Sequence, residues 1–197
     1  MDLIVLATRN EGKVREFLTL LQGLDARVES LRAYPDVILP PETGSTYQEN
    51  SIAKARAVHA ALGAPALGDD SGLEVDALAG APGLHSARFA GPGASDDANN
   101  EKLLFELRGL APGLRAGRFR CVLALVRGPE DVTLVEGVCE GRILDAPRGA
   151  GGFGYDPLFV PDGETLTFAE LTPDRKLVLS HRARAVASLR EILTTRR

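Results

Sequence analysis

Four groups of residues in this 197-residue chain have the types and spacing to handle a phosphorylated ligand. Thr8-Arg9-Asn10-Glu11-Gly12-Lys13 lies where an apolar run gives way to a helical pattern. A lysine, backbone N–H groups and a helix N-terminus can converge there on an anion. Against GxxxxGK[ST], Ala7 replaces the first glycine and Val14 the magnesium-binding hydroxyl, so the Walker pattern fails. An Asn-capped helix with a solvated lysine accounts for the loop equally well. The second group, Asp69-Asp70-Ser71-Gly72, sits between apolar segments, with Glu42 on an earlier loop. Adjacent carboxylates among apolar neighbours are costly unless they hold a cation or are well hydrogen bonded. Carboxylates suit magnesium, and one beside a metal can orient or deprotonate an attacking water. The bland alternative is an Asx-turn.

Gly149-Ala150-Gly151-Gly152-Phe153-Gly154 satisfies GxGxxG, but Pro147 before it and Tyr155-Asp156-Pro157 after it block the strand-turn-helix that dinucleotide binding requires. What remains is a loop presenting Phe153 and Tyr155 as stacking surfaces with Asp156 before a proline, or simply a glycine-rich connection. The fourth group is Lys176 with Ser180-His181-Arg182. If Ser180 caps the last helix, His181 and Arg182 lie in its first turn and can face an anion or a base edge; a solvated helical face fits the same residues. His59 reads as structural, and His85 has no partner in sequence.

These residues need a scaffold, and the patterning predicts one. Asp2 to Thr8 reads as a buried strand followed by a helix to about Leu21, with a second strand at Ala26 to Leu31 and a loop over Tyr34 to Pro41. Thr46-Tyr47-Gln48-Glu49 matches a capping box for a helix to about Leu62, on which Asn50 and Lys54 share a face. Pro65 to Ala77 reads as two short apolar segments around the acidic group, Gly80 to Gly93 as a loop and Ser95 to Leu107 as a capped helix. Arg118 to Arg127 and Val132 to Ile143 predict a hairpin, Leu158 to Val160 a short strand, and the last helix starts at Thr172-Pro173 or restarts at Ser180. The expectation is an α/β fold with a mixed sheet.

Composition excludes several classes. The chain is 44% hydrophobic and 25% charged, which rules out disorder, and only 5% aromatic, which predicts an aliphatic core. A formal charge of −4 argues against a duplex nucleic-acid footprint but not against a small phosphorylated ligand. No apolar run approaches a bilayer span, and Met1-Asp2-Leu3 lacks the basic region of a signal peptide, so the chain reads as cytosolic. Cys121 and Cys139 lie in strand-like segments without metal-ligand spacing and read as buried free thiols. Of 23 basic residues only Lys13, Lys54, Lys102 and Lys176 are lysines, and lysine is the compact point charge suited to a polyphosphate.

Taken jointly, Ala7 to Lys13, Glu42-Thr43-Gly44 with Glu49-Asn50 and Lys54, Asp69 to Leu73, Gly151 to Pro157 and Ser180-His181-Arg182 closely resemble the inosine/xanthosine triphosphate pyrophosphatases, over essentially the whole chain. The resemblance implies one two-lobed domain over residues 1–197: a long mixed twisted sheet flanked by helices, with a central cleft, usually as a homodimer. It implies Mg2+-assisted hydrolysis of dITP, ITP and XTP to the monophosphate and pyrophosphate. By motif, Thr8, Arg9, Asn10, Glu11, Gly12 and Lys13 cradle the triphosphate, Lys54 joins them, and Glu42 and Asp70 hold the metal with Asp69 close by. Asp70 is the expected general base and Ser71 a substrate contact. Phe153 stacks on the purine, Gly154, Tyr155 and Asp156 complete that loop, and Lys176, His181 and Arg182 read the base edge. His85 stands where relatives often carry an aromatic residue, and Arg9 is bulkier than the residue in some of them. The rival readings are a pyrophosphatase for modified pyrimidine nucleotides and a nucleotide sensor without turnover.

Overall fold

Leu3–Leu6 (β1) forms the opening strand in the computed structural model, which describes residues 3–195. Met1 and Asp2, on which the leader and strand-start expectations partly rest, lie outside the described residues. The chain continues through Glu11–Leu20 (α1), Arg27–Ser30 (β2), Tyr47–Leu62 (α2), Ala66–Val75 (β3), Asp96–Glu106 (α3), Ala116–Val126 (β4), Val132–Ile143 (β5), Phe159–Pro161 (β6), Pro173–Leu179 (α4) and His181–Thr195 (α5). The six strands form one sheet in the order β2-β1-β3-β4-β5-β6. β1 pairs in parallel with β2 and β3, while β6 is antiparallel to β5, so the sheet is mixed, as expected for this α/β chain.

Local chemistry sets the helix starts. Asn10, Thr46, Ser95 and Thr172 cap α1, α2, α3 and α4 by accepting from the N–H three residues on. At α2 Thr46 accepts from Glu49 N as the capping box predicts, and the Glu49 carboxylate reaches back to accept from the backbone of Ser45 and Thr46. Both predicted starts of the last helix occur, because Ser180 is extended (ψ 156°) and breaks the run into α4 and α5.

Two compact units emerge. The first comprises residues 1–70, 121–137 and 182–197, the second 71–120 and 138–181; β3, β4 and β5 contribute to both. In the first unit the strand period of two divides the core into two layers. Ile4, Leu6, Leu67, Cys121, Leu123 and Leu125 pack with Phe17 of α1 and Ala185, Val186 and Leu189 of α5. Val5, Ala7, Ala66, Ala124 and Val126 pack with Ala55 and Val58 of α2. The Cys121–Val126 run is thus buried on both faces, which explains why it does not alternate in sequence. Gly68 is required here, since a Cβ on it would come within 2.0 Å of the Ser51 carbonyl oxygen of α2.

Two expectations are corrected. Residues 66–75 form one continuous strand rather than two segments around a turn, so the acidic pair lies within a buried strand and the Asx-turn alternative falls away. The core is mainly aliphatic in the first unit, where Phe17 is the one ring among the described residues in the layer against α1 and α5. In the second, Phe119, Phe159 and Phe168 form a ring cluster at centroid distances of 4.8–5.8 Å, so the few aromatic residues are concentrated rather than dilute. Both cysteines are free and buried, as read. Among the described residues no helix is long and apolar enough to cross a membrane.

Candidate active site

Strand geometry separates the two adjacent carboxylates, because consecutive residues of β3 point to opposite faces. Asp69, on the α1 and α5 side, is 2% exposed; its Oδ2 is 2.6 Å from Lys13 Nζ, and its Oδ1 accepts from the Cys121 thiol at 3.2 Å. Burial pushes its pKa up, but the positive charges of Lys13, Arg182 and Lys54 and the Lys13 hydrogen bond overcome this, holding the carboxyl well below the usual range. Burial raises the Cys121 thiol far above its ordinary value, and the Asp69 charge adds to that, so the thiol stays a proton donor.

Asp70, on the α2 side, has the opposite character. Its Oδ2 accepts from Asn50 Nδ2 at 2.9 Å, and its Oδ1 lies 3.6 Å from Lys54 Nζ. Burial raises its pKa; Lys54 and Asn50 pull it back and the Glu42 carboxylate pushes it up, leaving it above the ordinary value. Burial alone lowers Lys54, but Asp69, Asp70, Glu42 and the hydrogen bond to Glu42 raise it overall, so it stays charged. One helix face positions this group: Asn50 and Lys54 are one turn apart on α2, and Asn50 Oδ1 also accepts from Gly44 N at 2.8 Å, fixing the loop that carries Glu42.

Glu42 Oε1 and Asp70 Oδ1 both approach Lys54 Nζ, at 2.6 and 3.6 Å, so carboxylate oxygens from two elements are already gathered around one cation. Oxygen donors of this kind fit a hard divalent ion. Among the described residues no group of three or more His, Cys, Asp or Glu side chains forms a complete metal cage.

Within Thr8–Lys13 the side chains divide. Lys13 turns to Asp69, Asn10 caps α1, and Thr8 Oγ1 accepts from Asn10 N at 3.2 Å. The Arg9 guanidinium instead donates to the Pro35 and Val37 carbonyls at 3.1 and 2.8 Å, and Glu11 pairs with Arg32. Arg182, at the start of α5, is 4% exposed and lies 2.9 Å from Glu16 of α1. Burial lowers its pKa, but Glu16 and Asp69 raise it further.

The second unit carries the remaining candidates. Ser71 is half-buried on β3. Asp156 Oδ2 accepts from Phe153 N at 2.8 Å and from Lys176 Nζ at 2.5 Å, and the same ammonium stands 5.0 Å from the Phe153 ring centroid. Gly152 makes the tight turn possible: its φ is +75°, and a Cβ there would meet Asp156 Oδ2 at 2.0 Å. Tyr155 OH donates to the Ser86 carbonyl at 2.8 Å. His181 is 2% exposed and stacks on Phe119 with rings 4.8 Å apart and 11° from parallel. The aromatic loop, Lys176 and His181 are therefore set by packing and charge in this unit, with half-buried Phe153 the accessible ring.

Several residues at these sites escaped the sequence reading. Cys121 lay in an apolar strand and gave no polar signal. Glu16 was legible only as a helical neighbour of Lys13 on α1, and Phe119 only as a strand residue. Asp96 and Asn100 of α3, which bond the Gly154 backbone, come from a distant part of the sequence.

Comparison with known proteins follows the same outline. A dITP/XTP pyrophosphatase of Geobacillus kaustophilus is 48% identical over 97% of this chain and 94% of its own length. One from Geobacter sulfurreducens is 47% identical over 98% and 97%. The solved structure of a HAM1 protein from Coxiella burnetii matches with a TM-score of 0.88 and 41% identity, covering 99% of this chain and all of that one. The Staphylococcus aureus Ham1 protein matches with a TM-score of 0.87 and 38% identity, over the full length of both. With the family model matching residues 4–192, the chain belongs to the Ham1 family.

Proposed function

We propose that the protein hydrolyses dITP, ITP and XTP to the nucleoside monophosphate and pyrophosphate, removing deaminated purines from the nucleotide pool. The observation that carries the mechanism is that the paired carboxylates face different partners: Asp70 lies with Asn50, Lys54 and the loop of Glu42, while Asp69 is bound by Lys13. A carboxylate held at a fixed position can orient a water and take its proton. The substrate class is supported by full-length relatives named dITP/XTP pyrophosphatase.

On this reading Asp70 orients a water toward the α-phosphorus and takes its proton as the new P–O bond forms. The bond to the bridging oxygen breaks, and its electron pair leaves with pyrophosphate. Lys13 and Lys54 offset charge on the phosphates, and within Thr8 to Lys13 the backbone N–H groups of Arg9, Glu11 and Gly12 bind them, since those of Thr8, Asn10 and Lys13 donate within the chain and the Arg9 and Glu11 side chains are engaged elsewhere. Ser71 contacts the substrate. Glu42 and Asp70, with Asp69 close by, are the residues that would hold Mg2+, which when bound neutralises the polyphosphate.

Phe153 stacks on the purine, with Gly154, Tyr155 and Asp156 shaping its loop. Lys176, His181 and Arg182 read the base edge. A donor directed at O6 accepts hypoxanthine and xanthine, whereas the adenine 6-amino group leaves that donor unpaired. The reading includes a cytoplasmic homodimer whose partners are these small triphosphates rather than nucleic acid or membrane; the net charge of −4 agrees with the lack of a nucleic-acid footprint.

The deciding assay incubates the protein and magnesium with dITP, ITP, XTP, dGTP, ATP and dUTP and resolves the products. Pyrophosphate and monophosphate from inosine and xanthosine substrates, with little from ATP or dGTP, are expected; orthophosphate release or no turnover overturns the proposal. In the same assay Phe153→Ala is expected to raise KM by about tenfold for every purine substrate, the loss of roughly 1–3 kcal/mol of stacking, without changing their order. A changed order would mean that Phe153 selects the base rather than supporting it.

A further inference from the structure

α3 holds the Phe153 loop by its backbone. Asp96 Oδ2 accepts from Gly154 N at 2.6 Å, and Asn100 Nδ2, one helical turn later, donates to Gly154 O at 2.9 Å. Both backbone polar groups of the residue that follows the stacking ring, one in each of its two flanking peptide units, are thus gripped from one helix face, the first by a short charge-assisted bond. The same helix pins the 83–90 segment: Asn99 accepts from Ala90 N and donates to Ala87 O, and Lys102 Nζ donates to Phe89 O at 2.7 Å. Tyr155 OH ties that segment back to the loop through Ser86 O.

Two further features mark this contact between α3 and the loop. Asn100 is 8% exposed, and its Oδ1 has no partner among the described residues, a desolvation cost that a side chain present only for packing would avoid. The loop and α3 also border a cavity of about 470 Å3 lined by Phe153, Gly154, Asn100 and Leu104, so directed hydrogen bonds rather than close packing hold this edge. Gly154, at φ +61°, is in a conformation open to neighbouring states and gains most from being fixed.

We infer that Asp96 and Asn100 are positioning residues that hold the Phe153 ring in its base-stacking orientation by clamping the Gly154 backbone N–H and C=O. This rests on the reading of Phe153 as the purine platform. Neither residue touches the substrate; both act on affinity for the base and leave the phosphate chemistry alone.

The test measures ITP hydrolysis, inhibition by inorganic pyrophosphate and melting temperature for Asp96→Ala, Asp96→Asn, Asn100→Ala and Asn100→Asp. Losing either bond is expected to raise KM for ITP by about fivefold, less than loss of the ring itself, with kcat and pyrophosphate inhibition within about twofold of the parent. Asp96→Asn keeps an acceptor for Gly154 N and is expected to recover most of the loss. Asn100→Asp sets a carboxylate against the Gly154 carbonyl and is expected to be worse than Asn100→Ala. Unchanged KM in a well-folded variant, or parallel loss of kcat and pyrophosphate inhibition, overturns the clamp. Failure of the parent to hydrolyse ITP overturns the functional reading instead. The clamp is then decided by Phe153→Trp, the sole tryptophan of such a chain. Its acrylamide quenching is expected to increase when Asp96 or Asn100 is removed, and no increase overturns the inference.

Discussion

Asp70→Asn is expected to lower kcat for ITP by about a thousandfold or more while nucleotide affinity changes only a fewfold and the melting temperature rises. The substitution preserves shape and still offers Asn50 an oxygen, so the loop carrying Glu42 and Gly44 keeps its anchor. What it removes is the proton acceptor. The rise in stability follows from linkage: burial raises the folded-state pKa of Asp70, so at neutral pH its charged form costs folding energy that a neutral amide does not. That cost is absent well below the unfolded carboxyl value of about 3.9 and is fully felt above the raised folded value. If Asp70 is the base, the acid limb of kcat should vanish from any residual activity of the variant. Activity and melting curves of the two proteins across pH check each part; retained turnover removes Asp70 as the base, and a fall in melting temperature means that its pairing with Lys54 outweighs its burial.

Lys13→Ala is expected to have the largest effect on stability. It leaves the Asp69 carboxylate, 2% exposed, facing the space vacated by its 2.6 Å partner. Breaking one side of a buried pair costs about 3–5 kcal/mol, and the low end applies here because Cys121 still donates to Oδ1 and the Lys13 side chain is 16% exposed. The pH dependence has a definite sign. Asp69 has a depressed folded-state pKa, so its contribution is present above the unfolded value of about 3.9 and is lost as pH falls toward the folded one. Without Lys13 the folded value rises, and acid unfolding should begin at higher pH. Denaturant titrations over a pH series measure both effects. Adding Asp69→Asn to Lys13→Ala should recover much of the stability but none of the triphosphate affinity. Binding should weaken far more for ITP than for IMP; equal losses would contradict a role for Lys13 on the β- and γ-phosphates.

The strand-helix opening and the caps at Asn10, Thr46, Ser95 and Thr172 were legible in the sequence because they depend on residues close along the chain, and the β4–β5 pair and the mixed sheet were legible from the order and patterning of the elements. Asn50 and Lys54 could be placed on one helix face because they too are close along the chain. The pairings of these groups were not legible. Whether Asp69 and Asp70 share one environment or occupy two depends on their lying in a strand, and a polar Asp-Asp-Ser-Gly run reads as a turn until neighbouring strands bury it. Gly68 admits α2 to one face of that strand, and the α1 and α5 layer covers the other. Only then do the carboxylates acquire opposite partners and opposite pKa shifts. Likewise, nothing near Gly154 in sequence announces that Asp96 and Asn100 will grip it. Sequence by itself determined which chemical groups are present and which local elements carry them. The tertiary structure decided which charge faces which, because burial and pairing are set by contacts between segments far apart along the chain.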